Sequence, residues 1–437
     1  MAAMGRFEFV FAFQPGPGHW SRMGPIASAL KRAGHRVVLA TSPSFRPRLD
    51  GMADDDFIAI GPPWEEDRLP SMDRLSSLVG GLRARGTAIN SFFFGAARQV
   101  SADLERALKA KRKPDLLVFD YTLLGGPPAA EALGLPWASV FGLTVPFPVP
   151  GWPPFGSHFR FSRSPSVGER YHEIEELIVR ENRELYAPVR ELWRAAGRRV
   201  SDPWRPYGRF GRLAIVGSIP ECEFPLPPRF PARVRYVGPL IGRESASAGL
   251  DKEALAFVRR KEDGPLIHLT LGMTFSETAA VLRKVAAALL DAPVRLLVSS
   301  GNLDEDSIRG ALPSRRLLVR RTVPHMEVMP EIELLICQGG AGTLMKALYF
   351  GVPSLVVPLG AEQRSNGARF VHGGIARMVL PGRLTAKGVR EALGALTDVN
   401  GGYRGRAKEM GEKARLAGGA EAAASLLEEV CERGAAL

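Results

Sequence analysis

Cysteine is scarce in this 437-residue chain: Cys222, Cys337 and Cys431 are widely spaced and form no Cys-x-x-Cys pair. An odd, scattered set points to neither a disulfide framework nor a zinc site, and reduced thiols fit a cytoplasmic setting. Long apolar runs are lacking as well. None approaches the roughly 20 residues that span a bilayer. The opening MAAMGRFEFVFAF has no extended apolar stretch with a small-residue cleavage site. Both absences lead to the expectation of a cytoplasmic protein. Blocks of Lys and Arg of the length seen in nucleic-acid-binding tails are also missing, although the net charge is +12 and the pI is near 9.9. Arginine is spread along the chain and no nucleic-acid motif occurs, so a nucleic-acid partner is not expected.

What is present is ordinary for a soluble enzyme: 45% apolar and 24% charged residues, so most of the chain is expected to fold. The length suggests two or three domains. Charge is densest between Arg160 and Arg212, where ERYHEIEELIVRENRELYAPVRELWRAAGRR places Ile174, Leu177, Ile178, Leu185, Val189 and Leu192 at helical spacing. This reads as a helix pair with an arginine-rich solvated face, or as a basic flank beside a membrane or an anionic, lipophilic molecule.

Periodicity organises the rest. FEFVFAF is a short β-rich run, PIASALKRAGH carries Ile26, Ala29, Leu30 and Ala33 on one helical face, and RVVLAT begins a second strand. With Gly34 placed to end the helix, this is a βαβ unit, which implies a parallel sheet. The pattern recurs: a helix around 92–110, the strand DLLVFD, a helix over PPAAEALG and the strand WASVF. Prolines and aromatics then dominate GLTVPFPVPGWPPFG, a long ordered loop. A second proline-rich passage ends near 240–249 in small and polar residues, which places a domain boundary there. Alternation restarts with PLIHLTLG, a helix over 276–290, VRLLVSS, RLLVR, a helix after Pro324, ELLIC, a helix over 341–350, SLVVP and a helix over 363–373. The expected organisation is a first domain over 1–240, a second over 241–410 and a C-terminal helix over 411–437.

Two glycine turns stand where a strand meets a helix. Unpaired backbone N–H groups and the helix dipole make such a turn an anion site, and QGGAGT at 338–343 has that context. A tight packing turn with no ligand is the alternative. The first turn, QPGPGHWSR, is a poor dinucleotide fingerprint: Ser21 stands where the third glycine belongs, and LATSP offers no acid for a ribose hydroxyl. His19 follows that turn, either as a capping or exposed residue or as a base at a cleft mouth. Asp120 ends DLLVFD at the same sheet edge. It can cap the next helix, or orient an imidazole so that the other ring nitrogen is a general base.

At this point the chain resembles the family 1 glycosyltransferases of the GT-B fold, especially the bacterial natural-product branch that glycosylates macrolides, polyketides and similar aglycones. The resemblance rests on GPGHWSRMGPIASALKRAGHRVVLATS and PDLLVFDYTLLGGPPAAEALGLPWAS, on VRYVGPL at the junction, and on VPHMEVMPEIELLICQGGAGTLMKALYFGVPSLVVPLGAEQRSNGARFV. It implies an α/β protein of two Rossmann-like domains whose parallel sheets face across a cleft. The first domain would bind the acceptor and the second a nucleotide-diphosphate sugar. His19 matches the general base and Asp120 the acid that orients it. Gly340, Gly342 and Thr343 match the diphosphate-binding turn, and Glu362 and Gln363 the pair that bonds sugar hydroxyls, with Asn366 nearby. Gly18, Gly272 and Val323 complete the expected donor contacts. Three departures are evident: Gln338 stands where a histidine is usual, Thr322 where an aromatic residue often stacks on the base, and Met273 where a phosphate-contacting Ser or Thr is common, with Thr274 as its substitute.

The implied reaction is inverting transfer from a UDP- or dTDP-sugar to a hydroxyl of a bulky apolar acceptor, with the nucleotide sugar as co-substrate and no cofactor or metal. DDD at 54–56 and DED at 304–306 fit an Asp-x-Asp metal pattern but read as solvated turns. Phe141, Phe147, Trp152 and Phe155 either line an acceptor cleft or pack in the core. A nucleotide-sugar epimerase of similar architecture and a non-catalytic binding relative are the rival readings. The protein is expected to be a monomer or a homodimer.

Overall fold

The computed structural model describes residues 7–49, 57–62, 90–110, 113–242, 249–260, 262–272, 278–290, 292–301, 303–311, 315–360, 362–398 and 400–435. Two wholly parallel sheets organise them. The first contains β1 (Glu8–Ala12), β2 (Arg36–Thr41), β3 (Phe57–Ala59), β4 (Leu116–Asp120), β5 (Trp137–Phe141), β6 (Leu213–Val216) and β7 (Val234–Tyr236), in the order β3-β2-β1-β4-β5-β6-β7. The second contains β8 (Leu266–Thr270), β9 (Arg295–Ser299), β10 (Leu317–Arg320), β11 (Leu334–Cys337), β12 (Ser354–Val356) and β13 (Ala376–Met378), in the order β10-β9-β8-β11-β12-β13.

Helices cover both faces, so the central strands are buried on both sides and read as continuous apolar runs. Phe9, Val10 and Phe11 in β1 and Leu116, Leu117, Val118 and Phe119 in β4 are all effectively inaccessible. In each sheet the strand order reverses once, between β1 and β4 and between β8 and β11. That reversal opens the crevice at the carboxyl ends of the strands where ligands of open α/β sheets bind.

The longer elements follow the sequence pattern closely: Pro17–Arg32, Gly126–Leu133, Thr278–Leu290, Ala341–Phe350 and Gln363–His372 are helices. The basic stretch forms two, Pro165–Glu181 and Ala187–Ala195. Differences cluster where elements are short. The helix after Pro324 is a single turn, His325–Val328, that tightens into a 3₁₀ turn at Met329–Glu331, where Pro330 removes a donor. The helix expected around 92–110 begins as a π-helical turn, Asn90–Gly95, and becomes α-helical at Ala97–Ala110. Asp304 precedes a helix, Glu305–Ala311, whose first turn holds Glu305 and Asp306, so DED opens a helix. DDD at 54–56 and Thr274 lie outside the described residues.

The chain's end returns to the first sheet. The helices Tyr403–Leu416 and Gly419–Ala435 are separated by Ala417 and Gly418, with Gly418 and Gly419 both at positive φ, so position 411 falls inside a helix. The last helix packs against Pro17–Arg32, burying Ala423, Ala424 and Leu427. Glu421 accepts from Arg32 Nη2 at 2.5 Å, and Glu428 Oε1 lies 2.8 Å from His35 Nε2. The two sheets are further joined by a buried ion pair, Glu223 with Arg369. Burial pushes the Glu223 carboxyl up against the opposing pull of Arg369. Tyr236 donates to the same carboxylate at 3.3 Å, and the Arg369 guanidinium lies 4.6 Å from the Phe224 ring centroid. Among the described residues no helix is long and apolar enough to cross a membrane.

Candidate active site

The first switch point holds a cluster of charged side chains. The helix after β1 begins at Pro17 with Gly16 as its cap, which puts His19 in its first turn. Asp120 ends β4, wholly buried. Parallel pairing of β1 with β4 brings these residues together across 101 positions, with His19 Nδ1 3.2 Å from Asp120 Oδ2. Asp120 does not cap the following helix, whose N-cap is Gly125. Instead its Oδ1 accepts from the backbone N–H of Thr122 at 2.8 Å and from the Thr122 hydroxyl at 2.5 Å.

Arg22, three residues after His19 and so on the same helical face, enters this cluster. Its Nε donates to Asp120 Oδ2 at 2.8 Å, its Nη2 lies 2.6 Å from the same oxygen, and Nη2 also lies 2.7 Å from His19 Nδ1. Burial alone would push the Asp120 carboxyl up. Arg22, His19 and the Thr122 hydroxyl together hold it well below the ordinary carboxylate range. Burial in turn lowers the Arg22 guanidinium, but Asp120 outweighs it and raises the group above its usual value. A guanidinium only donates, so with its contact made Nδ1 is an acceptor and the ring proton sits on Nε2. Donation from Nδ1 to Asp120 requires the opposite tautomer. The sequence reading missed Arg22 because arginine on a helix usually faces solvent; the i, i+3 spacing to His19 was its signal.

Backbone and amide groups furnish the second switch point. Gly339 has φ +91, and a Cβ there would stand 2.9 Å from the Gln363 carbonyl and from Val356 Cγ1, so only glycine fits. Gly340 caps the helix Ala341–Phe350, leaving Ala341, Gly342 and Thr343 in its first turn. Gly272, after β8, has φ +68, and its missing Cβ leaves room for the Gln338 amide, whose Nε2 would lie 2.3 Å from such an atom. Gln338 Oε1 is buried without a hydrogen-bond partner. Asn366 is wholly buried rather than directed into the cleft, and its Nδ2 donates to the Gly339 carbonyl at 2.9 Å. Gln363 Oε1 accepts from the Leu359 and Gly360 N–H groups at 2.8 and 3.0 Å, which fixes the loop before it. Glu362, half-buried, is the N-cap residue of Gln363–His372.

The two switch points face each other closely. A Cβ on Gly342 would meet Ser21 Oγ at 3.5 Å, and one on Gly142 would lie 2.7 Å from Ala341 Cβ and 3.8 Å from Arg22 Nη1. The remaining expected residues divide. Gly18 is exposed in the first helical turn, whereas the Val323 side chain is buried, so only its backbone is available to a ligand. Phe141, Phe147 and Trp152 are buried: Phe141 packs edge-on to Tyr121, Tyr207 and Phe147, and Trp152 against Phe224 and Phe230. Phe155 is half-buried beside Trp204.

Known proteins resemble the chain in sequence and in fold. Residues 283–424 match the glycosyltransferase family 28 C-terminal domain. The chain is 26% identical over 406 residues to the 4'-demethylrebeccamycin synthase of Lentzea aerocolonigenes, spanning 89% of this chain and 91% of that protein. It is 34% identical over 204 residues to the demethyllactenocin mycarosyltransferase of Streptomyces fradiae, spanning 46% and 41%. Among solved structures, the calicheamicin glycosyltransferase CalG4 superposes with a TM-score of 0.73 at 22% identity, covering 98% of this chain and 99% of that one. The glycosyltransferase VinC, solved with dTDP, gives 0.66 at 19%, covering 98% and 100%. The chain is a glycosyltransferase of the GT-B fold, similar to the branch that serves bacterial natural products.

Proposed function

We propose that this glycosyltransferase moves a sugar, with inversion and without a metal or cofactor, from a UDP- or dTDP-sugar to a hydroxyl of a bulky, largely apolar small molecule such as a natural-product aglycone. One observation carries the reading: a His19–Asp120 pair, its carboxylate buried and its imidazole partly exposed, lies at one switch point opposite a glycine-rich helix N-terminus at the other, with Ser21 and Gly342 in near contact. Proton chemistry and anion binding are thereby set on opposite walls of one crevice.

In this reading residues 1–240 hold the acceptor, 241–410 the donor, and the terminal helix ties the second domain to the first. Asp120 accepts a hydrogen bond from His19 Nδ1–H, leaving the lone pair of Nε2 to take the proton of the acceptor hydroxyl. The oxygen then bonds to the anomeric carbon, the bond from that carbon to the diphosphate breaks, and the electron pair leaves on the phosphate oxygen. Backbone N–H groups at Gly340–Thr343 and the dipole of Ala341–Phe350 receive the charge. Glu362 and the free amide N–H of Gln363 hold the sugar hydroxyls, while Gly18, Gly272, Gln338 and the Val323 backbone shape the donor pocket. Phe155 is the half-buried member of the aromatic group on the acceptor side, whereas Phe141, Phe147 and Trp152 are buried. The dTDP bound to VinC supports the choice of donor class.

Calorimetric titration of UDP, dTDP, GDP and NAD, with and without Mg²⁺, tests it. Metal-independent binding of UDP or dTDP alone is expected. Binding of NAD, or of none, would contradict it, and conversion of a nucleotide sugar with no acceptor present would favour an epimerase.

A further inference from the structure

We infer that Arg22 is the cation for the leaving diphosphate, supplied from the acceptor side of the cleft, and that its departure from His19 sets the base in its working tautomer. The inference rests on the donor reading above and deepens it. Three observations carry it.

First, the glycine turn itself carries no positive charge. Gln338 precedes it and is neutral, and the turn offers backbone N–H groups, the Gln338 amide and the Thr343 hydroxyl, all of them uncharged donors. Second, the Arg22 guanidinium is already at that wall. Its Nη1 and the Ala341 Cβ both lie within 3.8 Å of the point where a Gly142 Cβ would stand, and Ala341 opens the helix whose N-terminus faces the cleft. None of the hydrogen bonds among the described residues uses Nη1; Nε and Nη2 carry the contacts to Asp120 and His19. Glu362, on the donor side, is among the charges that act on Arg22.

Third, the present contacts hold the dyad in the wrong state for catalysis. While Arg22 Nη2 donates to His19 Nδ1 at 2.7 Å, the ring proton is on Nε2, and a protonated Nε2 cannot accept the acceptor's proton. A diphosphate at the helix N-terminus gives the guanidinium a second anion, with bidentate geometry available to it. As Arg22 turns toward that anion, Nδ1 takes up a solvent proton and donates to Asp120, and Nε2 releases its own to solvent. The base is thus ready only with donor in place. During transfer the acceptor proton passes to Nε2, the new carbon–oxygen bond forms as the bond to the diphosphate breaks, and Arg22 meets the charge that develops on the leaving oxygen. Arg22 is therefore a catalytic residue toward the diphosphate and a positioning residue toward His19.

Two measurements test this, and neither depends on one variant folding. Long-range ¹H–¹⁵N correlation spectra of wild-type protein labelled at its 7 histidines, with His19 assigned from His19→Ala, report the tautomer directly. The expected result is Nε2–H in the free protein and Nδ1–H with UDP or dTDP bound. The same tautomer in both states would overturn the switch. Kinetically, Arg22→Met should lower kcat and kcat/KM together by roughly 10²–10³-fold, Arg22→Lys should retain part of the rate, and adding Gln338→His to Arg22→Met should restore about tenfold or more of it. A purely structural role for Arg22 predicts no rescue by a cation placed at 338, so absence of rescue in folded protein would overturn the leaving-group role. If wild type binds neither UDP nor dTDP, the donor reading fails and this inference falls with it. If wild type binds and transfers but Arg22→Met keeps the wild-type rate, only this inference fails.

Discussion

At the switch point of the first sheet the candidate groups are side chains, three of them charged or chargeable and packed together: His19, Arg22 and Asp120. At that of the second sheet they are main chain and neutral amide: Gly339, Gly340, Gly342 and Gln338. The strand order is the same over six strands of each sheet, with β7 added at the edge of the first. Topology therefore fixes where a site can form, and residue type decides what it does there. Proton transfer needs side chains of controlled charge, and burial keeps those charges paired. Binding an anion needs many donors close to one point, which a bare helix N-terminus supplies without charge of its own.

The comparison breaks most visibly at His19. Replacing it with Ala should lower kcat by about 10²–10⁴-fold while leaving nucleotide affinity near wild type, as steady-state rates and titration calorimetry would reveal. Asp120→Asn attacks the same wall through stability. It leaves the buried Arg22 without its counter-charge and should cost about 3–5 kcal/mol in urea unfolding. The pH dependence has a defined sign. The Asp120 carboxyl is depressed in the folded state, so its contribution is complete above its ordinary value of 3.8 and is lost as pH falls through the folded one. Urea midpoints measured from pH 7 down to 3 should fall at the acid end in wild type, and this component should be missing in Asp120→Asn.

On the opposite wall, Gly339→Ala forces an L residue to φ +91 and a Cβ to within 2.9 Å of the Gln363 carbonyl. It should cost about 2 kcal/mol or more and weaken UDP or dTDP binding, with little change in the His19 tautomer. Ser21→Ala sharpens the comparison from the other direction. Ser21 is exposed and, among the described residues, its hydroxyl donates to the Gly18 carbonyl alone, at 3.0 Å. Its loss should change stability by no more than about 0.5 kcal/mol, which a thermal melt would check, because the contact with Gly342 is spatial rather than energetic.

The second wall was the more legible from sequence. Its glycines, strand and helix occupy thirty consecutive residues, and local chemistry alone marks a glycine turn at a helix N-terminus, the context suited to an anion. His19 and Asp120 are 101 positions apart, and their pairing was readable only because each marks the end of a strand or the start of a helix in a parallel βαβ pattern. Arg22 was not readable as a buried group, since burial of an arginine depends on a partner from a distant strand. Short strands such as β3, β7 and β13, three residues each, leave no periodicity to detect. The aromatic loop misled in part: Phe141, Phe147 and Trp152 have the composition of a ligand cleft, but their rings pack on one another and on Tyr207 and Phe230. Composition cannot distinguish an aromatic core from an aromatic pocket. The closing helix was legible as a helix and not as to its partner, because its contacts with Arg32 and His35 lie nearly the whole chain away.

The division of labour between the two walls is tested most directly by the transfer rate of His19→Ala, measured with UDP- and dTDP-sugars after titration has established that the variant binds the nucleotide as wild type does. A rate at least about 10²-fold below wild type with unchanged nucleotide affinity is the predicted result. Wild-type turnover in that variant would contradict the account, because the base would then lie elsewhere.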